Sequence, residues 1–261
     1  MQDNEYTHMS LSIHPPKQNK TQFSQQMFAH YLAGLLDADG HFSQTPQCVI
    51  CFHESDRSLA FFIKTSIGYG SVSPIKGKPA IKYVCAHQQG LAYIAWLVQP
   101  HLRHLTKKHQ LKTRILCHTW CQNNQAKYGK SFAPVFAFSS HWFAGFVEGH
   151  GSFQIKTSKD IRVVLQLDQK TKLLLETVKQ SFGGYIGVRK DTQSFYYSST
   201  SFGTAFHLVK YFDRFQLLGR KRLDYLYWRK CVLAVFQKKH LTEKGVSEIH
   251  ACKAKLLKLR A

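Results

Sequence analysis

Residues 30–43 read HYLAGLLDADGHFS, and residues 141–153 read HWFAGFVEGHGSF. In each stretch an Ala-Gly pair, at 33–34 and at 144–145, lies between bulky apolar side chains. Small residues allow two helix backbones to approach closely, so we expect two helices that pack against each other through these pairs. Ser24 and Ser140 are the expected N-caps.

The two helices should end at Gly40 and Gly151, which we expect to adopt a positive φ. Asp39 and His150 directly precede these glycines and should lie exposed, side by side, at the helix ends. Asp37 and Glu148 lie two residues earlier, about 200° around each helix. We therefore expect them to be structural and to pair with basic residues.

The surrounding sequence repeats the same order of elements after each stretch. Short strand-like runs alternate with helical patterns, which predicts helices near 56–70, 91–98 and 107–120, then 171–185, 203–212 and 221–237. An additional helix is expected at 242–259, with Thr242 as its N-cap. This pattern predicts a pseudo-twofold α+β protein. We divide it into a disordered lead-in (1–23), repeat 1 (24–125), a linker (126–138) and repeat 2 with the extra helix (139–261).

The composition indicates the partner. The formal net charge is +21, with 15 histidines besides. Such a charge repels itself unless a polyanion offsets it, so nucleic acid is the leading partner and a merely basic protein is the alternative. No apolar run approaches the ~20 residues that span a bilayer, which argues against a membrane protein. Seven scattered cysteines indicate a reducing compartment.

The first stretch contains LAGLLDADG at 32–40, one conservative change away from the consensus that names the LAGLIDADG homing endonucleases. The second contains the looser match FAGFVEGHG at 143–151. Together with the repeated element order, these motifs make residues 24–258 resemble the single-chain, two-motif members of that family. The resemblance implies two αββαββα repeats whose antiparallel sheets form a saddle over DNA, in a monomeric protein.

The chemistry that the resemblance implies is phosphodiester hydrolysis with divalent metal. A hard cation with oxygen ligands activates water, neutralises the phosphate and assists the leaving oxygen. In the family, the final acid of each motif binds metal, which makes Asp39 a catalytic metal ligand and the carbonyls of Ala38 and Gly149 additional donors. Mg²⁺ is the expected cofactor, with Mn²⁺ as an alternative.

The second motif departs from the family pattern because His150 stands where the acid is expected. Neutral imidazole is a poor ligand for Mg²⁺ and suits softer metals better. One interpretation is a degenerate site whose cleavage is lost, reduced or biased towards one strand. The other keeps His150 as a catalytic and metal-site residue that serves as a general base near neutral pH.

The resemblance also implies residues around the metals. Gln169 matches a family position that orders water, and we expect Glu54 to be its counterpart in repeat 1. Lys221 matches the basic residue near the scissile phosphate. Its counterpart is Lys107 or Lys108, and we expect Lys108. The alternative is that these lysines only line a solvated helix face.

Alternation along the strands places every second residue on a face that can enter the major groove, where base edges are distinguishable. The polar and basic residues expected to contact DNA are Ser43, Thr45, Gln47, Lys76, Lys78, Lys82, Gln154, Lys156, Arg162, Gln166, Arg189 and Gln193. The two halves carry different sets, so we expect a long, non-palindromic site in double-stranded DNA.

The leading interpretation is a site-specific, metal-dependent double-strand DNA endonuclease of the homing type. The alternatives are a catalytically impaired nickase, an intron maturase that binds RNA, and a non-cleaving DNA-binding protein. The resemblance further suggests an intron-encoded protein of a mitochondrion or chloroplast.

Overall fold

The computed structural model describes residues 11–17, 23–133, 136–158 and 160–260. Repeat 1 contains α1 (Gln25–Asp39), β1 (Gly40–Phe42), β2 (Cys48–His53), α2 (Arg57–Ile67), β3 (Ser71–Pro74), β4 (Ala80–Cys85), α3 (Gln88–Val98), α4 (Leu105–Leu111) and α5 (Thr119–Gln125). A π-helical segment, Lys112–Leu116, follows α4. Within the described ranges, no helix combines the length and apolarity needed to cross a bilayer.

Repeat 2 has the same order of elements. It contains α6 (Trp142–His150), β5 (Gly151–Lys156), β6 (Arg162–Gln169), α7 (Leu173–Phe182), β7 (Tyr185–Arg189), β8 (Ser194–Ser198), α8 (Phe202–Arg214), α9 (Lys221–Phe236) and α10 (Glu243–Arg260). The two antiparallel sheets have the orders β1-β2-β4-β3 and β5-β6-β8-β7. The predicted α+β class and the αββαββα repeats are confirmed.

Each sheet buries one face and leaves the other open. In β5, Phe153 and Ile155 are buried while Ser152 and Gln154 are partly exposed, as alternation requires. In β4, Tyr83 is buried and Lys82 is exposed. The open faces therefore carry the polar side chains, and the buried faces pack on the helices.

Helices α1 and α6 pack against each other through their glycines. A Cβ on Gly34 would lie 1.8 Å from the carbonyl oxygen of Trp142, and one on Gly145 would lie 2.0 Å from that of Tyr31. The predicted close approach of the two helices is confirmed. Ser24 Oγ accepts from Met27 N at 3.2 Å, as an N-cap does. In α6 the N-cap is His141 rather than Ser140.

Buried carboxylates tie the two repeats together across this interface. Asp37 accepts from Trp142 Nε1 of the other repeat at 2.8 Å, and Glu148 accepts from Tyr31 OH at 2.8 Å. Each also accepts backbone N–H groups, from Arg103 (2.7 Å) for Asp37 and from residue 218 (3.1 Å) for Glu148. Both acids are structural. Burial raises the pKa of both acids, and the charges of Arg103 near Asp37 and Lys221 near Glu148 oppose that rise, so basic residues lie close to them as expected. The hydrogen bonds come from amide and aromatic donors, and Glu148 Oε1 has no partner among the described residues.

The glycines that end the motif helices do not adopt a positive φ. Gly40 has φ −84° and Gly151 has φ −80°, both extended. A Cβ on Gly40 would lie 2.7 Å from Leu36 Cα, and one on Gly151 would lie 2.7 Å from the carbonyl oxygen of Val147. Glycine is required here by the close return of the strand over the last helical turn, not by a left-handed backbone.

Residues 11–17 of the N-terminal lead-in contact the folded chain. Arg229 Nη2 donates to Ser12 O at 2.8 Å, and Arg222 Nη2 donates to Pro16 O at 2.8 Å. Leu11 packs on the core. The guanidinium groups of α9 bind residues 11–17 through main-chain carbonyls. The side chains of the segment therefore gave no indication of this contact in the sequence. Residues 1–10 and 18–22 lie outside the described ranges.

Candidate active site

The last residues of α1 and α6 meet at the pseudo-twofold axis. His150 Nε2 lies 3.8 Å from Asp39 Oδ1, and the two side chains are 32% and 38% exposed respectively. The structure therefore brings Asp39 and His150 together as expected. They stand at the ends of two helices whose relative position is fixed by the glycine contacts.

Each of these side chains lies against the end of the opposite helix. A Cβ on Gly149 would lie 2.5 Å from Asp39 Oδ2, so the Asp39 carboxylate occupies the space beside Gly149. His150 Nε2 lies 3.1 Å from the carbonyl oxygen of Ala38. A carbonyl only accepts, so Nε2 carries the hydrogen in this contact, and in a neutral ring the lone pair is on Nδ1.

Two lysines brace the ends of the motif helices. Lys221 Nζ donates to the carbonyl oxygens of Val147 (3.1 Å), Glu148 (2.7 Å) and Gly149 (3.0 Å). Burial lowers the pKa of Lys221, opposed by Glu148, Asp39 and other acids. The three donated bonds make Lys221 a group that fixes the α6 terminus and adds positive charge beside the site.

In repeat 1 the bracing lysine is Lys107, which donates to the carbonyl oxygen of Gly40. Burial lowers its pKa, opposed by Asp37 and Asp39. Lys108 is exposed and lines a separate cleft with Leu111 and Leu116. The choice of Lys108 was wrong, because adjacent helical residues point about 100° apart and only Lys107 faces the dyad.

Glu54 is not the counterpart of Gln169. The register pairs Gly40 with Ile50 and Gly151 with Leu167. Ile50 and Leu167 are therefore equivalent. Two residues further along their strands, Phe52 in β2 is equivalent to Gln169 in β6. Glu54 lies beyond the strand end and forms an exposed ion pair with Arg57 at 3.0 Å.

Gln169 itself lies on the buried face of β6, next to the partly exposed Asp168. Its Nε2 has no hydrogen-bond partner among the described residues. The neighbouring residue Asp168 faces the open side of β6 and was not predicted. Strict alternation from Gln166 would have identified it.

A cleft beside Asp39 contains further residues that were not predicted. These are Cys51 and His53 from the open face of β2 and Asp56, which line the cleft beside the expected residues Gly149 and Lys221. Asp56 Oδ1 accepts from the backbone N–H of Arg220 at 2.7 Å and so joins repeat 1 to the start of α9. In the part of the chain that is described, no group of three or more His, Cys, Asp and Glu side chains has the arrangement of a metal site.

The residues predicted to contact DNA divide into strand and turn positions. Those in strands are Lys82, Gln154, Lys156, Arg162, Gln166 and Arg189. Those in the turns between paired strands are Ser43, Thr45, Gln47, Lys76, Lys78 and Gln193. All lie at least partly exposed. Tyr196, which is also partly exposed in β8, was missed.

Comparison with known proteins gives a family and two fungal relatives. The model of the LAGLIDADG endonuclease family matches residues 143–232. A Schizosaccharomyces pombe protein named "uncharacterized cox1 intron-2 37.2 kDa protein" is 41% identical over 251 residues, covering 94% of this chain and 77% of that protein. The Neurospora crassa "probable intron-encoded endonuclease 2" is 28% identical over 124 residues, covering 46% of this chain and 27% of that protein.

Solved structures share the fold. The LAGLIDADG meganuclease I-AabMI bound to uncleaved DNA has a TM-score of 0.71 at 21% identity, covering 87% of this chain and 98% of that one. I-SmaMI bound to an uncleaved DNA target in the presence of calcium ions has a TM-score of 0.63 at 22% identity, covering 87% and 97%. Both carry the two-repeat architecture described above.

Proposed function

This chain belongs to the LAGLIDADG endonuclease family, and we propose that it is a site-specific endonuclease that hydrolyses double-stranded DNA with a divalent cation held mainly on the Asp39 side of the dyad. The observation that carries the proposal is the position of the Asp39 carboxylate beside Gly149, at the meeting point of the two motif helices. The DNA-bound state of the structural neighbours supports the substrate.

The donors on the two sides fit a hard cation unequally. On one side, Asp39 offers a carboxylate and Gly149 a carbonyl whose second lone pair is left after the bond from Lys221. On the other side, the twofold-related carbonyl of Ala38 also keeps a lone pair after accepting from His150, but the imidazole of His150 stands where this side needs a carboxylate. The residues therefore fit one Mg²⁺ at Asp39, and they fit a second hard cation poorly.

The roles of the protein groups follow from these contacts. A bound divalent cation supplies an activated water and neutralises charge on the phosphate. Asp39 would hold that cation, while Lys107 and Lys221 fix the helix ends and would add positive charge near the phosphates. With Nε2 engaged, Nδ1 is the nitrogen of His150 that can accept a proton from water or bind a softer metal such as Mn²⁺.

A second candidate function is strand-biased cleavage, that is, a nickase. The imidazole of His150 beside Asp39 favours it, because only one of the two sides then offers a carboxylate to a hard cation. Gln169 and Glu54 are not assigned roles at the reacting phosphate, since one is buried and the other lies outside the cleft. Complete loss of cleavage, leaving a DNA-binding protein or an RNA-binding maturase, is the outcome that the experiment below would reveal.

The biological setting extends the proposal. One relative bears the name of an intron and the other is called intron-encoded, which supports an intron-encoded protein of an organelle. The unequal open faces of the two sheets support a long, non-palindromic target. The single-chain pairing of α1 with α6 supports a monomer, with 24–125 and 139–261 as its two repeats.

Substitution of Asp39 by Asn tests the proposal. It removes a metal-binding carboxylate and no phosphate contact, so we expect cleavage to fall by more than about 100-fold while DNA affinity is largely unchanged. Cleavage and binding are measured on the duplex spanning the insertion site of the intron, with Mg²⁺ and with EDTA. Glu54→Gln, an exposed acid outside the cleft, is the matched control and should cleave normally. Full cleavage by Asp39→Asn would contradict the proposal.

A further inference from the structure

The open face of the β5-β6-β8-β7 sheet carries a cluster of contacting side chains around a glycine. Gly187 in β7 pairs with Tyr196 in β8. A Cβ on Gly187 would lie 2.4 Å from Tyr196 Cζ, so the absence of a side chain there allows the tyrosine ring to lie across β7. A ring laid flat in this way offers a surface for another side chain.

Arg189 occupies that surface. Its guanidinium carbon lies 5.2 Å from the centroid of the Tyr196 ring, within the range of a cation–π contact. Its Nε donates to Asp168 Oδ1 at 2.6 Å, and Gln166 Nε2 donates to Asp168 Oδ2 at 2.9 Å. Burial alone would raise the pKa of Asp168, but the bonds from Arg189 and Gln166 lower it, which keeps the carboxylate charged.

This arrangement fixes an arginine that would otherwise be flexible. Among the described residues, Asp168 bonds the guanidinium through Nε, which leaves the two Nη groups for a ligand. The pair of Arg189 and Asp168 has no net charge, so a phosphate gains little attraction from it. A neutral partner with two adjacent acceptors gains the full hydrogen-bonding capacity of the Nη groups.

Repeat 1 has no equivalent group. Ile50 and Leu167 are equivalent by register. Tyr83 pairs with Ile50 and Tyr197 pairs with Leu167, so the two tyrosines are equivalent. It follows that the positions of Gly187, Arg189, Asp168 and Tyr196 correspond to Ser73, Ile75, Cys51 and Lys82. The fixed arginine is a property of repeat 2 alone.

We propose that Arg189, held by Asp168 and Tyr196, reads a guanine in the half of the DNA target that lies under repeat 2. The inference rests on the proposed function, since it presumes that the open face enters the major groove. Arginine bonds the O6 and N7 acceptors of guanine with two donors, and no other base offers that pair. Because the side chain is already ordered, less conformational entropy is lost on binding.

The test is selection of sequences from a random duplex library by the full-length protein in EDTA, so that no cleavage occurs. The wild type should select guanine at one base pair that Arg189→Lys no longer specifies. In direct binding to duplexes changed at that base pair, the wild type should lose roughly 5- to 150-fold in affinity and Arg189→Lys much less. Arg189→Lys keeps the charge, so the salt dependence of binding should not change.

Two further variants separate the anchoring of the Arg189 side chain from the effect of positive charge on DNA binding. Asp168→Ala keeps the guanidinium and removes the acceptor that anchors it, so the guanine preference should weaken while overall affinity holds or rises. Lys190→Ala, the exposed neighbour in the turn, should lower affinity for all sequences alike. If Arg189→Lys selects the same sequence as the wild type, the inference is wrong and the proposed function is untouched. If the wild type selects no sequence at all, the proposed function fails as well.

Discussion

His150 differs from Asp39 in what it does to the opposite helix. Asp39 places the carboxylate oxygen Oδ2 beside Gly149, whereas His150 places an N–H against the carbonyl of Ala38. The half of the site that contains His150 therefore lacks the carboxylate that Asp39 gives to the other half. The chemical inequality of the two halves therefore comes from a single side chain at the end of α6.

Lys107 and Lys108 are adjacent, yet only the first faces the dyad. Lys107→Met removes the donor to the Gly40 carbonyl and a positive charge near Asp39, so we expect slower cleavage and a loss of about 1.5–3 kcal/mol in unfolding free energy. Lys108→Met should leave both unchanged and alter only DNA affinity. Urea unfolding and single-turnover cleavage of the two variants are compared. Equal effects from both lysines would show that Lys107 has no special role.

At the scale of elements, the α1–α6 pair depends on two glycines. A Cβ at Gly145 would overlap the Tyr31 carbonyl at 2.0 Å, so Gly145→Ala must push the helices apart. We expect a loss of about 1–3 kcal/mol or more in unfolding free energy. Gly203→Ala in α8 is the control, because its Cβ would meet nothing nearer than 3.8 Å. That change should be neutral or stabilising by up to about 1 kcal/mol. A harmless Gly145→Ala would contradict the packing.

The helix α1 also contributes a pH-sensitive contact. The rings of His30 and His101 lie 4.2 Å apart, both buried. Burial, with His30 and Arg103 nearby, lowers the pKa of His101 to about 4. Its ordinary value is about 6.5, so as pH falls below ~6.5 the unfolded chain binds a proton that the folded chain refuses. The stabilisation is present above that pH and is lost on acidification.

Replacement of His101 by Phe isolates this effect from Asp37, whose pKa is raised by burial to about 6 and which acts in the opposite direction. The unfolding free energy of the wild type relative to His101→Phe should decrease between pH 7 and pH 4, by at most roughly 1.4 kcal/mol per pH unit. Urea unfolding at several pH values measures it. If the difference in unfolding free energy does not change with pH, protonation of His101 is not coupled to unfolding.

The sequence predicted the elements well because both repeats carry strong patterns. The helices of residues 25–39 and 221–236 and the paired strands follow from apolar periodicity and caps. Equivalences between repeats were harder to predict. Glu54 was matched to Gln169 as the residue at the end of the second strand, whereas sheet register matches Phe52 to Gln169. The packing of residues 11–17 depends on distant arginines, which no local pattern reveals.

At the scale of the whole molecule, the two repeats share an architecture and divide the work unequally. Repeat 1 supplies the Asp39 carboxylate, which we propose binds the metal. Repeat 2 supplies His150, and on its open face the Arg189 group that repeat 1 lacks. A pseudo-twofold protein of this kind should meet a non-palindromic duplex in one orientation. The strand attacked from the Asp39 side is then fixed by the sequence of the target.

The order in which the two DNA strands are cut tests most directly whether the Asp39 and His150 sides of the site differ in activity. A duplex labelled differently on each strand is cleaved in Mg²⁺ by the wild type and by His150→Glu, under single-turnover conditions. We expect the wild type to accumulate a nicked intermediate with the same strand always cut first, and His150→Glu to cut both strands with little intermediate. Rapid, equal cutting of both strands by the wild type, lost in His150→Glu, would contradict the unequal site and make His150 an active catalytic residue.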